Sequence, residues 1–191
     1  MKSRPTDLPG VWEVFADVAS DERGHFFRLS DSQMLSSLVG EWVGTYSAIS
    51  HNFARHTLRG MHWQSSAAPE TKLVRCVRGS ALDVVVDVDT SSSTFGRWTA
   101  VELDADRANA VLIGPLHAHG FLTLEDSTDV LYEIRGSYEP GHSLGFRWDD
   151  PMVGLDWPAV PAVIGRRDAA LPPLGVLDPQ RLTVPNAEET R

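Results

Sequence analysis

Cysteine is almost missing from this chain of 191 residues: Cys76 is the only one. A single thiol excludes an internal disulfide framework and a cysteine-rich zinc site. Lysine is nearly as scarce, since Lys2 and Lys72 are the only two and every other fixed side-chain cation is arginine. Positive charge is short overall, with 17 Lys and Arg against 26 Asp and Glu, for a formal net charge of -9. That balance argues against non-specific nucleic-acid binding, which needs a basic surface. No apolar run approaches the roughly 20 residues of a membrane-spanning helix. The opening MKSRPTDLPG also lacks the apolar region of a secretory signal. The expectation is a soluble, cytoplasmic protein with neither a nucleic-acid nor a membrane partner.

Helix signals are scarce too. Only SDSQMLSSLV, residues 30–39, reads as a helix, with Ser30 or Asp31 as its N-cap. Elsewhere the apolar pattern has period two, or runs continuous and β-branched, in short stretches broken by Gly, Asp, Ser and Pro. Strands are expected at 11–15, 25–29, 43–50, 57–64, 72–78, 81–88, 98–103, 109–113, 118–123, 129–136 and 144–148. So many short strands with so little helix predict an all-β antiparallel barrel or sandwich of jelly-roll type. The length and the 42% hydrophobic content suffice for one domain over 1–191 with a full core. Its end, irregular from about 170, is rich in Pro, Ala and Arg.

The stretch LRGMHWQ, residues 58–64, sets a histidine inside a run that otherwise reads as a buried strand. Alternation puts Leu58, Gly60, His62 and Gln64 on one face and Arg59, Met61 and Trp63 on the other. A second cluster, GPLHAHGF, puts His117 and His119 on one face of another strand. The inner face of a jelly roll lines a cavity, where His62 and one of these two histidines can meet. Three readings are open: a packed core imidazole, a metal ligand, or a base. The metal reading is weakened because position 64 is Gln and the next strand offers Lys72, whose ammonium repels a divalent cation. Only Glu70 lies between them as an acid. In the third reading His62 abstracts a proton and Lys72 steadies the negative charge that develops.

Ten short motifs occur in order: DERGHFF, LRGMHWQ, KLVRCVRG, DVVVDV, STFGRW, HAHGFLTLED, LYEI, SYEPG, FRWDDP and GLDWP. Together, over about residues 10–170, they resemble the dTDP-4-dehydrorhamnose 3,5-epimerase family of cupins. The resemblance implies a cupin-type jelly roll with a few short helices, acting without metal or other cofactor on a nucleoside-diphosphate-linked 4-keto-6-deoxy sugar. The C4 ketone acidifies the protons at C3 and C5. A base removes one to give an enolate, and an acid on the opposite ring face returns a proton and inverts the carbon. By this resemblance His62 is the base, Asp168 in GRRDAA is the carboxylate behind it, and Tyr132 in LYEI is the acid. Tyr138 matches the aromatic that stacks on the nucleotide base. Lys72 and His119 match groups near sugar and phosphates, and Arg23 and Arg59 match diphosphate contacts. Arginine suits that task because its fork bonds phosphate oxygens in pairs. Because strict alternation sets Arg59 opposite His62, a bulge at Gly60 is the device that would bring both to one site. The family forms homodimers through exchanged N-terminal strands, and VWEVFADV is apolar enough to pair with a partner's sheet edge.

The chain departs from the family at clustered positions. Ser47, Ala48 and Ile49 stand where many members carry Gln-Asp-Asn, and Arg28 and Ser143 stand where glutamate is common. These positions contact nucleotide and sugar in the family, so the chemistry set is intact while the recognition set has drifted. Epimerase chemistry is expected, on a nucleotide sugar that need not be the rhamnose precursor. The alternatives are a ketoisomerase or single-centre epimerase using the same residues, or a non-catalytic sugar-nucleotide-binding cupin. A binding module has no use for a base and an acid on opposite faces, which counts against the last.

Overall fold

The computed structural model describes residues 1–177, in which strands, almost all of them antiparallel, are the dominant regular structure. The order is β1 (Lys2–Pro5), β2 (Val11–Phe15), β3 (Ala19–Asp21), β4 (Gly24–Phe26), α1 (Ser32–Val39), β5 (Tyr46–Asn52), β6 (Thr57–Gln64) and β7 (Thr71–Arg78). Then follow β8 (Ser80–Asp87), β9 (Trp98–Asp104), β10 (Asn109–Ile113), β11 (His117–Thr123) and β12 (Thr128–Arg135). The last elements are β13 (Ser143–Gly145), β14 (Val163–Ile164) and α2 (Arg166–Ala169), with short 3-10 turns at Pro140–His142 and Leu174–Val176. One sheet runs β1-β2-β10-β7-β12-β5 and the other β13-β6-β11-β8-β9, with β14 added parallel to β6. The jelly-roll expectation holds.

The alternation of side chains explains both layers. On β7 and β10, Val74, Cys76, Val111 and Ile113 point between the sheets, where they meet Ala81, Val85, Leu103 and Phe121 of the other sheet. The opposite faces are covered as well. Leu35 of α1 and Trp42 lie over Val14, Leu73, Ala110 and Leu112, while Phe146, Val153 and Leu174 from the later chain cover Val84, Val86 and Ala118. Burial on both faces is why β8 and β10 read as continuous apolar runs. Helix α1 begins at Asp31, whose carboxylate accepts from the Met34 amide at 3.1 Å.

Differences from the sequence reading lie at the ends of the chain and of elements. Strand β1 is exposed throughout and carries no apolar period, so its sequence gives no strand signal. It pairs with β2, which is enclosed between β1 and β10, so VWEVFADV is not a free edge of the chain. The strand expected at 25–29 stops at Phe26, and beyond it the Leu29 carbonyl turns inward to accept from the buried Arg75 guanidinium. Of the irregular end expected from about 170, residues up to 177 carry a 3-10 turn with Leu174 buried; the rest lies outside the described residues.

Candidate active site

The inter-sheet core fills only one end of the sandwich. At the other end β5, β6, β7, β11 and β12 surround a cleft of about 710 Å³. His62 and Gln64 line it from β6, His119 and Phe121 from β11, Lys72 from β7, and Tyr132 and Ile134 from β12.

Strand β6 reaches this wall through a bulge. His62 stands opposite His119, yet Arg59 stands opposite Phe121, so three steps on β6 span two on β11. Gly60 occupies the extra position with φ 132°, and a Cβ there would lie 2.5 Å from the Gly120 Cα. Only glycine meets both demands. The bulge breaks the alternation that would otherwise hold Arg59 on the far face, and both Arg59 and His62 line the cleft. The Arg59 Nε donates to Asn52 Oδ1 at 2.8 Å, which fixes the stem and leaves the head at the mouth.

Parallel pairing of β14 with β6 carries α2 to the same wall. Asp168 is buried there, its Oδ1 2.8 Å from His62 Nε2 and its Oδ2 accepting from the Gly60 amide at 3.1 Å. Burial alone would raise this carboxyl. The hydrogen bond and charge of His62, with the Gly60 amide, outweigh burial and hold it below the ordinary carboxylate value. One imidazole nitrogen is thereby engaged, which leaves the other for a ligand.

The facing sheet supplies Tyr132, set opposite Ala48 on β5 and Val74 on β7. Burial above all, with the nearby Asp83 charge, pushes its phenol up, so at neutral pH it is a proton donor. Its ring lies edge-on to His119, centroids 6.0 Å apart. His119 Nδ1 is 3.3 Å from Asp83 Oδ2, and burial lowers its imidazole. Asp83 is fully enclosed, and its Oδ1 has no hydrogen-bond partner among the described residues. The Lys72 ammonium, also lowered by burial, sits 3.6 Å from Glu70 Oε2.

Of the residues singled out in the sequence, His62, Asp168, Tyr132, Lys72, His119, Arg59 and Tyr138 all line this cleft. Arg23 does not. It caps the β3–β4 hairpin, 83% exposed, with its Nε 3.1 and 3.2 Å from the Asp21 oxygens. His117 is also elsewhere, its Nδ1 3.0 Å from the Pro115 carbonyl. Among the positions of departure, Ala48 and Ser143 line the cleft. Ser47 and Ile49 alternate to the other face of β5, and Arg28 pairs with Asp31 at 3.3 Å away from the cleft. Sequence reasoning gave no site role to Tyr46, Ser50, Glu70, Asp83, Arg166 or Arg167. Asp83 had a signal, being an acid within an otherwise apolar strand. The arginines flank Asp168 and belong to the mouth, where Arg167 Nη2 donates to Ser143 Oγ at 2.9 Å.

A family model for dTDP-4-dehydrorhamnose 3,5-epimerase matches residues 5–175. The enzyme of that name from Mycobacterium tuberculosis is 34% identical over 175 residues, covering 90% of this chain and 87% of that protein. The solved rmlC epimerase of the same species superposes with a TM-score of 0.91 at 34% identity, covering 100% of this chain and 96% of that one. NovW, a 4-keto-6-deoxy sugar epimerase from the novobiocin biosynthetic gene cluster of Streptomyces spheroides, gives 0.87 at 30% identity, covering 92% and 88%. ChmJ, a 3'-monoepimerase of Streptomyces bikiniensis solved with dTDP-quinovose, gives 0.83 at 31% identity, covering 90% and 87%. Agreement of this extent in sequence and fold makes the chain a member of the dTDP-4-dehydrorhamnose 3,5-epimerase family.

Proposed function

We propose that this protein is an isomerase that inverts C3, C5 or both in a nucleoside-diphosphate-linked 4-keto-6-deoxy sugar, in deoxysugar biosynthesis. One observation carries the mechanism: His62 and Tyr132 line one cleft from opposite sheets. A sugar ring held between those walls presents one face to an imidazole and the other to a phenol. His62 takes the proton from the carbon beside the C4 ketone, and the bonding pair moves to the C4 oxygen as an enolate. Asp168 holds the imidazole and balances the imidazolium. The Lys72 ammonium steadies the enolate charge. Tyr132 then gives its proton to the same carbon from the other face, and the ketone re-forms. Arg59, Arg166 and Arg167 at the mouth suit a diphosphate, so a chain of net charge -9 offers an anion a local cationic entrance. Tyr138, half exposed at the rim, is placed to stack on a nucleobase. The site residues ask for no metal. Among the described residues no cluster of three His, Cys, Asp or Glu is arranged to hold one. Among the described residues no helix is long and apolar enough to cross a membrane; we place the protein in the cytoplasm as a homodimer of one domain per chain.

A single-centre reaction is the second reading. Ala48 stands opposite Tyr132 where longer polar contacts are common in the family, so that wall holds the ring less tightly. Both readings are tested by NMR on dTDP-4-keto-6-deoxyglucose in deuterated buffer, which shows which carbons exchange. His62→Ala stops deuterium entry and loses roughly 10²–10⁴-fold in rate. Tyr132→Phe still exchanges the proton but returns it to the face it left, giving deuterium with little inversion. Inversion at the unaltered rate in Tyr132→Phe, or exchange surviving in His62→Ala, overturns the assignment.

A further inference from the structure

Glu70 has no part in the proton transfers above, yet it is buried in the wall of the cleft. Its place is built from three sides. Oε1 accepts from the Tyr46 hydroxyl at 3.1 Å and from Gln64 Nε2 at 3.4 Å. Oε2 faces the Lys72 ammonium at 3.6 Å, with both side chains largely enclosed. Behind it the backbone comes in against Gly136, where a Cβ would stand 3.2 Å from Glu70 Cγ and 2.8 Å from the Pro69 carbonyl. A carboxylate set this firmly beside one of only two lysines in the chain has a specific use.

We propose that Glu70 is the positioning residue for Lys72: it fixes the ammonium on the cleft wall and keeps it protonated there. The need follows from burial. A lysine in an enclosed, poorly hydrated wall tends to give up its proton, and a neutral amine cannot balance an enolate. The other charged and titratable groups around it divide. Asp83 on β8 favours the charged form, but that carboxylate is already engaged by His119. His119 on β11, and His62 and Arg59 on β6, offer no negative charge, and burial holds the Tyr46 and Tyr132 phenols neutral. Glu70 is the anion in contact. At 3.6 Å it attracts the ammonium without capturing all three of its donors, so protons remain for the sugar oxygen. The catalytic part of this inference rests on the epimerase reading; the pairing itself does not.

The scarcity of lysine makes the test direct. Protein labelled with isotope only in lysine gives two side-chain NMR signals, and Lys2→Arg assigns them. In Glu70→Gln, which keeps the shape and the acceptor for Tyr46, the Lys72 titration midpoint falls by about 1 pH unit or more, while the Lys2 midpoint stays put. With dTDP-4-keto-6-deoxyglucose as probe, the alkaline limb of kcat/KM moves to lower pH in step, so the loss of activity deepens as pH rises. An unmoved Lys72 midpoint overturns the proposal. So does a loss of activity equal at every pH, which is the mark of a packing role. If the unaltered protein fails to turn over this sugar, the epimerase reading on it is what fails, and the two lysine signals still decide the pairing.

Discussion

Asp168 ties together two parts of the cleft wall. One oxygen holds the His62 ring and the other holds the Gly60 amide, so the carboxylate ties the imidazole to the bulge that aims it. Asp168→Asn keeps the size and an acceptor but removes the charge that balances an imidazolium. Its kcat should fall about 10²-fold or more with KM changed far less, measured on the same 4-keto sugar. The fold reports on the same charge. A carboxyl held below its ordinary value stabilises the native state fully above the unfolded value near 3.8, and this contribution fades as pH falls through the lower native one. The stability gap between the unaltered protein and Asp168→Asn should therefore be fully present at neutrality and should narrow below about pH 4. Urea unfolding at pH 7 and pH 3 measures it, and a gap that widens in acid would exclude the pairing as described.

At the scale of elements, the bulge in β6 decides whether the site exists. Gly60 has a positive φ and faces Gly120 on β11, where each lacks the Cβ that would collide with the other strand. Gly60→Ala forces a strained backbone against Gly120 and should cost roughly 1–3 kcal/mol in chemical denaturation. It should also weaken dTDP binding in a calorimetric titration, because Arg59 and His62 lose their common aim. A loss of stability without a loss of binding would show that the bulge serves the fold alone. The same strand shows what was legible in advance. Its limits, 57–64, follow from apolar periodicity, as do 11–15 and 109–113. The re-aiming at Gly60 does not follow, since alternation is the rule by which strands are read and a bulge suspends it. Asp168 reads as an ordinary loop acid; only the family motifs single it out, since the pairing of β14 with β6 is a long-range event that no local pattern encodes. Glu70 lies two residues before Lys72, on the same parity of the chain. Its partners Tyr46 and Gln64 come from other strands, so its role appears only once the sheets face each other.

The whole molecule leaves one residue without a place. Arg23 matches a diphosphate contact in the family motifs, yet it stands on the exposed β3–β4 hairpin, away from the cleft of its own chain. That hairpin also carries Phe26, 74% exposed. The first sheet ends in β1, which pairs with β2 alone among the described residues. A symmetric dimer would account for all three, if the hairpin of one subunit lies at the cleft mouth of the other and Arg23 completes the arginine set there. Light scattering should then give a dimer, and Arg23→Ala should raise KM far more than it lowers kcat. A stricter test uses two impaired variants, Arg23→Ala and His62→Ala, co-expressed at equal levels. If Arg23 serves the partner's cleft, each mixed dimer contains one cleft with both residues intact. Random pairing makes half the dimers mixed, so about a quarter of the unaltered activity should return. If Arg23 serves no cleft, Arg23→Ala alone is unimpaired. If it serves its own cleft, no cleft regains both residues and mixing restores nothing. That result would confine the site to a single chain.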